Sequence, residues 1–98
     1  MLFHVTAEHD HLSCPARGRE PGSDEVRESQ KWLEGNEEVK VLGVWGHQPS
    51  HKSFAIIDAS DFGAVTTLLR GQMQIGKVEV LPVNDNIAQR KQRGQWGR

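Results

Sequence analysis

The sequence predicts a small α+β domain, and three observations carry that expectation. Apolar and polar residues alternate with period two in four short segments, Leu2–Glu8, Val39–Trp45, Ser53–Asp58 and Lys77–Val83. Helix start and stop signals fill the first and third gaps between them, while the second gap is short and polar. The chain has 98 residues, enough for one ordinary domain. The element order is therefore β-α-β-β-α-β. With right-handed crossovers it gives a four-stranded antiparallel sheet in spatial order 4-1-3-2, with both helices on one face.

The first strand, "LFHVTAE", sets Phe3, Val5 and Ala7 on one face and Leu2, His4, Thr6 and Glu8 on the other. "HDHLSCPARGREPG", His9 to Gly22, is a Pro- and Gly-punctuated loop, long for a small domain and of the kind that often carries function. Ser23 or Asp24 caps a helix expected through Glu34 and closed by Gly35 and Asn36, its acidic first turn suiting the helix dipole. "VKVLGVW" and "SFAIID" are β-branched strands joined by "GHQPSHK", a hairpin connection. Ser60 or Asp61 caps a second helix in which Phe62, Val65, Leu68 and Leu69 recur at helical spacing, with Gly71 at the expected C-cap. "KVEVLPV" closes the sheet, and Pro82 marks it as an edge strand. Residues 1–83 thus form the domain and 84–98 a tail. Followed strand by strand, parity places Leu2, Leu42, Val44, Ala55, Ile57 and Leu81 on the face away from the helices. That much apolar surface calls for a covering subunit.

The opening "MLFHV" and the second half "SFAIIDASDFGAVTTLL…KVEVLPV", together with the element order, resemble the dimeric α+β-barrel superfamily of ferredoxin-like proteins. That superfamily includes antibiotic-biosynthesis-type monooxygenases and muconolactone isomerases. The resemblance implies a homodimer or higher homo-oligomer formed sheet to sheet, with a small-molecule ligand held between helices and sheet or between the sheets. It covers Leu2 to Val83 and transfers no catalytic residue, because function varies among proteins of one fold.

Composition narrows the partners. Hydrophobic residues make up 36% of the chain and the formal net charge is -1, so no global field draws it to nucleic acid or membrane. No apolar run approaches the roughly 18 residues of a membrane span, and the N-terminus lacks the layout of a signal peptide, so a cytoplasmic protein is expected. The single cysteine, Cys14, makes no intrachain disulfide. Charge is uneven: Arg90, Lys91, Arg93 and Arg98 face only Asp85 in the tail. Four cations and Trp96 are too little to argue for nucleic acid. The seven acids between Glu20 and Glu38 form a solvated face. Gly-rich phosphate loops, dinucleotide fingerprints and Ser-His-Asp arrangements are all missing from the sequence.

Five histidines fall in two clusters, "HVTAEHDH" with Cys14 close behind, and "GHQPSHK". In the expected topology the ends of strands 1 and 2 and the start of strand 3 share one rim. That rim gathers His9, His11, Cys14, His47 and His51, and the adjacency of strands 1 and 3 brings His51 toward His9. Imidazole and thiolate are ligands for zinc, copper, nickel and iron. Glu8 or Asp10 could complete such a shell or orient an imidazole. His4 and Glu8, on the mixed face of strand 1, are candidate acid/base groups should a partner subunit enclose that face. Three readings stay open: a metal-binding protein, an enzyme or not, with a rim site; a metal-free barrel enzyme of isomerase or monooxygenase type using His4 and Glu8; and a non-catalytic small-ligand-binding or assembly module.

Overall fold

The computed structural model describes residues 1–98. Four strands, β1 (Leu2–His9), β2 (Val39–His47), β3 (Lys52–Ala59) and β4 (Gly76–Val83), form one antiparallel sheet ordered β2-β3-β1-β4. Counted from the β4 edge, the order reads 4-1-3-2. β4 is an edge strand, so the missing N–H of Pro82 costs no ladder bond on its solvent side.

The helical segments are shorter and more broken than the spacing suggests. Helix α1 covers Asp24–Ser29, with the Ser23 side chain accepting from the Val26 N–H. It breaks at Gln30, and a 3-10 turn, Lys31–Glu34, takes over where one helix to Glu34 is expected. The break lets Val26 and Trp32 both reach the core, which a continuous helix with so thin an apolar face would not achieve. Helix α2 spans Phe62–Leu68 with Asp61 as its cap, and α3 spans Arg70–Ile75. Leu69, fully buried between them, turns the chain. Gly71 is therefore helical and not a C-cap; β4 begins instead at Gly76. The tail holds a fourth helix, α4 (Asn86–Gln92), which sequence periodicity does not reveal. Asp85 caps it through the Ala88 N–H, and none of its residues is buried.

The core lies between one sheet face and the helices. Phe3, Val5, Ala55, Ile57 and Val39 meet Trp32, Val65 and Leu69, and no polar residue is buried. The expected face assignment is wrong in both β2 and β3, although β3 itself alternates without a break. A β-bulge at Leu42 lets two residues of β2 oppose Ile56, and β3 presents Ala55 and Ile57, not Ile56, to the helices. Val44, Ala55 and Ile57 thus belong to the covered side. The open face carries Leu42, Trp45, Phe54 and Leu81 among its exposed apolar residues. Trp45 lies across Gly43, where a Cβ would stand 2.5 Å from the indole. The glycine makes room for the ring.

No helix is long and apolar enough to cross a membrane.

Candidate metal centre

The site forms where β1 ends and the β2–β3 hairpin returns. Beyond His9 the chain folds back under the control of one carboxylate. Oδ1 of Asp10 accepts from the N–H groups of Leu12 and Ser13, both at 2.9 Å, and from the Ser13 hydroxyl at 3.1 Å. This is an Asx-type turn, available to Asp because its short side chain reaches the backbone two and three residues on. The Ser13 backbone N–H, then its hydroxyl, hold the Asp10 carboxyl below its ordinary range. Further turns follow, with Arg17 N–H donating to Cys14 O and Arg19 N–H to Ala16 O, each at 3.0 Å. Cys14, half-buried, is thereby carried back toward the end of β1.

The hairpin supplies the opposite wall. A 3-10 turn, Gln48–Ser50, with Pro49 in its first turn, leads into His51 at φ 53° and ψ 43°. His51 is the only non-glycine residue in the chain with positive φ. A side chain in this left-handed region costs about 1–2 kcal/mol, which the surroundings must offset. Two hydrogen bonds contribute to that. The His9 N–H donates to His51 O at 3.2 Å, and Nδ1 of His51 lies 3.3 Å from Nε2 of His9. The rings meet edge to face with centroids 5.1 Å apart. Burial, then the neighbouring His51, pushes the His9 imidazole below its ordinary pKa against an opposing pull from Asp10. The neutral form, the one that binds metals, is favoured.

His9, Cys14 and His51 each bring a ligand atom within 4.8 Å of the others. A tetrahedral ion with metal–nitrogen bonds of about 2.0–2.1 Å sets two imidazole nitrogens about 3.3 Å apart. The His9–His51 pair already stands at that separation. In the metal-free chain the same spacing is an imidazole–imidazole hydrogen bond, so the pair is pre-organised by the contact an ion would replace. Sγ of the half-buried Cys14 lies within 4.8 Å of both imidazole donors. These donors are borderline-soft, a set that suits zinc and the later first-row metals.

The other residues expected on the rim fall outside this group. Nδ1 of His47 is bonded to the Ser50 hydroxyl at 2.8 Å, and His11 is exposed in the Asp10 turn. Glu8 faces Lys52 at 3.8 Å, and Asp10 is committed to its own turn. Three protein donors are left, and a four-coordinate ion keeps one position for something else. His4 and Glu8 share the open sheet face, separated by four residues of strand, roughly 13 Å.

The three donors line a cavity of about 530 Å³ between α1, the following 3-10 turn and the sheet. His9, Cys14 and His51 share its lining with the apolar Val26, Trp32 and Val44. Pro15 and Ala16 make one wall, so the loop that brings Cys14 also encloses the cavity. Nothing in the sequence marked Ser29 or Gln72 as part of this place. They meet because the Gln72 amide donates to Ser29 O at 2.8 Å, across 43 positions of chain. The one available signal was Trp32, a large residue in an otherwise thin helix face. Compared with known proteins, the chain matches no family model and no curated sequence.

Proposed function

We propose that this protein binds one transition-metal ion through His9, Cys14 and His51 and presents its open coordination position to a small molecule in the adjoining cavity. The observation that supports the reading is the convergence of two imidazoles and a thiol beside a cavity, with the nearby carboxylates engaged elsewhere. A structural site would be closed by a fourth protein ligand; this one favours a binding or catalytic centre. When bound, the metal supplies Lewis acidity to an oxygen-bearing ligand. The chain's own residues hold the ion, exclude water with Val26, Trp32 and Val44, and fix its approach through Cys14. Titration of metal-free protein with zinc, cobalt, nickel and copper tests the reading. One ion per chain, lost on Cys14→Ser, supports it; no binding by any of the four overturns it.

The exposed apolar sheet face supports a second copy as partner. Only 12 of 98 residues are buried within the chain, and Trp45 is 61% exposed. A homodimer packed sheet to sheet would cover that face and place His4 and Glu8 between subunits.

A further inference from the structure

The cavity beside the proposed metal site has a charge pattern that the rest of the molecule lacks. The chain carries 13 Asp and Glu residues, yet none lines this cavity. The one residue of permanent charge along it is Lys52, whose Nζ is already offset in part by Glu8 at 3.8 Å. The remaining polar lining is neutral, made of serine and glutamine side chains. The same lining includes Val26, Trp32 and Val44 as apolar residues, of which Val26 and Trp32 are largely buried.

A divalent ion held by two neutral imidazoles and one thiolate leaves a single net positive charge at the cavity wall. One monoanionic ligand in the fourth position neutralises it, whereas a cation meets repulsion from the ion and from Lys52. The cavity volume of about 530 Å³ falls within the range of small-molecule sites. We infer that the ligand of this site is a small organic monoacid, its carboxylate on the metal and its apolar body against Val26, Trp32 and Val44. The inference rests on the metal-binding reading and adds the charge and shape of what the metal meets.

Three probes of one shape and different charge test it: benzoate, benzamide and benzylamine, titrated by calorimetry into zinc-loaded and zinc-free protein. Acetate serves as the carboxylate without a body. Benzoate is expected to bind the zinc-loaded protein at least tenfold more tightly than each of the other three. It should lose at least tenfold when zinc is removed. Protein that holds one zinc per chain but binds benzamide or benzylamine as tightly as benzoate, or no benzoate at all, overturns the inference and leaves the metal site standing. Equal benzoate affinity with and without zinc also overturns it, because the anion is then not on the metal. Acetate binding as tightly as benzoate removes the apolar part of the recognition and overturns the inference as stated. Failure to hold any zinc overturns both readings together.

Discussion

Gly76→Ala probes the proposed metal centre from the β4 side of β1. Gly76 opposes His9 in the β1–β4 ladder, at the last pair before the chain turns toward Cys14. A Cβ there would sit 2.8 Å from the Glu8 carbonyl carbon and 2.9 Å from His9 Cα, and closer still to Glu8 O. Ordinary contact begins at 3.4 Å and the Glu8 carbonyl oxygen is the nearest obstacle, so the backbone at Glu8–His9 or at Gly76 must move by more than about 1 Å. The obstacle is main chain and no rotamer relieves it. Overpacking of this kind costs about 1–3 kcal/mol, or roughly 4–20 °C in Tm for a domain this size. Displacing His9 by that amount also disturbs a 3.3 Å ligand pair, with an expected loss of about 10- to 100-fold in zinc affinity, the range found when a ligand's support is removed. Thermal unfolding and a competitive zinc titration read the two effects. Gly71→Ala is the control, since a Cβ there meets nothing within 4 Å inside α3 and should stabilise by up to about 1 kcal/mol. A Gly76→Ala protein with wild-type stability refutes the close-approach argument. Lost stability with wild-type zinc affinity refutes the claim that the end of β1 positions His9.

Other substitutions separate ligands from bystanders. Cys14→Ser removes one of three donors and should weaken zinc by about 3–4 kcal/mol, or roughly 10²–10³-fold, judging from about 10–16 kcal/mol for complete four-ligand sites. His11→Ala and His47→Ala should each stay within about threefold of wild type, since neither imidazole joins the group; a larger loss would place that residue in the site. His51→Gly relieves the left-handed strain of about 1–2 kcal/mol while losing a hydrogen bond of similar worth. The variant should fold near wild-type stability yet lose metal, whereas retained metal would exclude His51. In metal-free protein the His9 ring should titrate with a midpoint below 6.5 by NMR, because burial and His51 disfavour its cation. With the folded value depressed, the stability this group contributes is fully present above pH 6.5 and falls as pH drops from there; a midpoint at or above 6.5 contradicts this. The open sheet face predicts that the 11.0 kDa chain sediments as a dimer and that Trp45→Lys shifts it to monomer, while a wild-type monomer would refute the sheet-to-sheet partner.

How far the sequence carried depends on which residues are considered. Alternation at Phe3, Val5 and Ala7 was enough to place β1 and its buried face, because a period of two has one consistent reading when one side is wholly apolar. In β2 the same logic broke at Leu42, where a bulge shifts the register by one and no composition signal announces it. Helix lengths were overstated because local spacing cannot show that Trp32 and Leu69 reach the core only if the chain turns at Gln30 and between α2 and α3. For the site, adjacency of strands 1 and 3 was legible and led to His9 beside His51. The selection of Cys14 over His11, and of His51 over His47, depends on an Asx turn and a left-handed residue. "DHLS" contains the turn signal in its Asp and Ser, but the direction in which Cys14 then points is a three-dimensional result. The cavity was not legible, since its lining comes from segments more than forty residues apart.

The most direct test is X-ray absorption at the zinc edge of protein loaded with one equivalent of zinc. The account predicts one sulfur at about 2.3 Å, two imidazole nitrogens at about 2.0–2.1 Å and one further light atom, with the sulfur shell absent in Cys14→Ser. A spectrum of oxygen and nitrogen neighbours alone in the wild-type protein would contradict it.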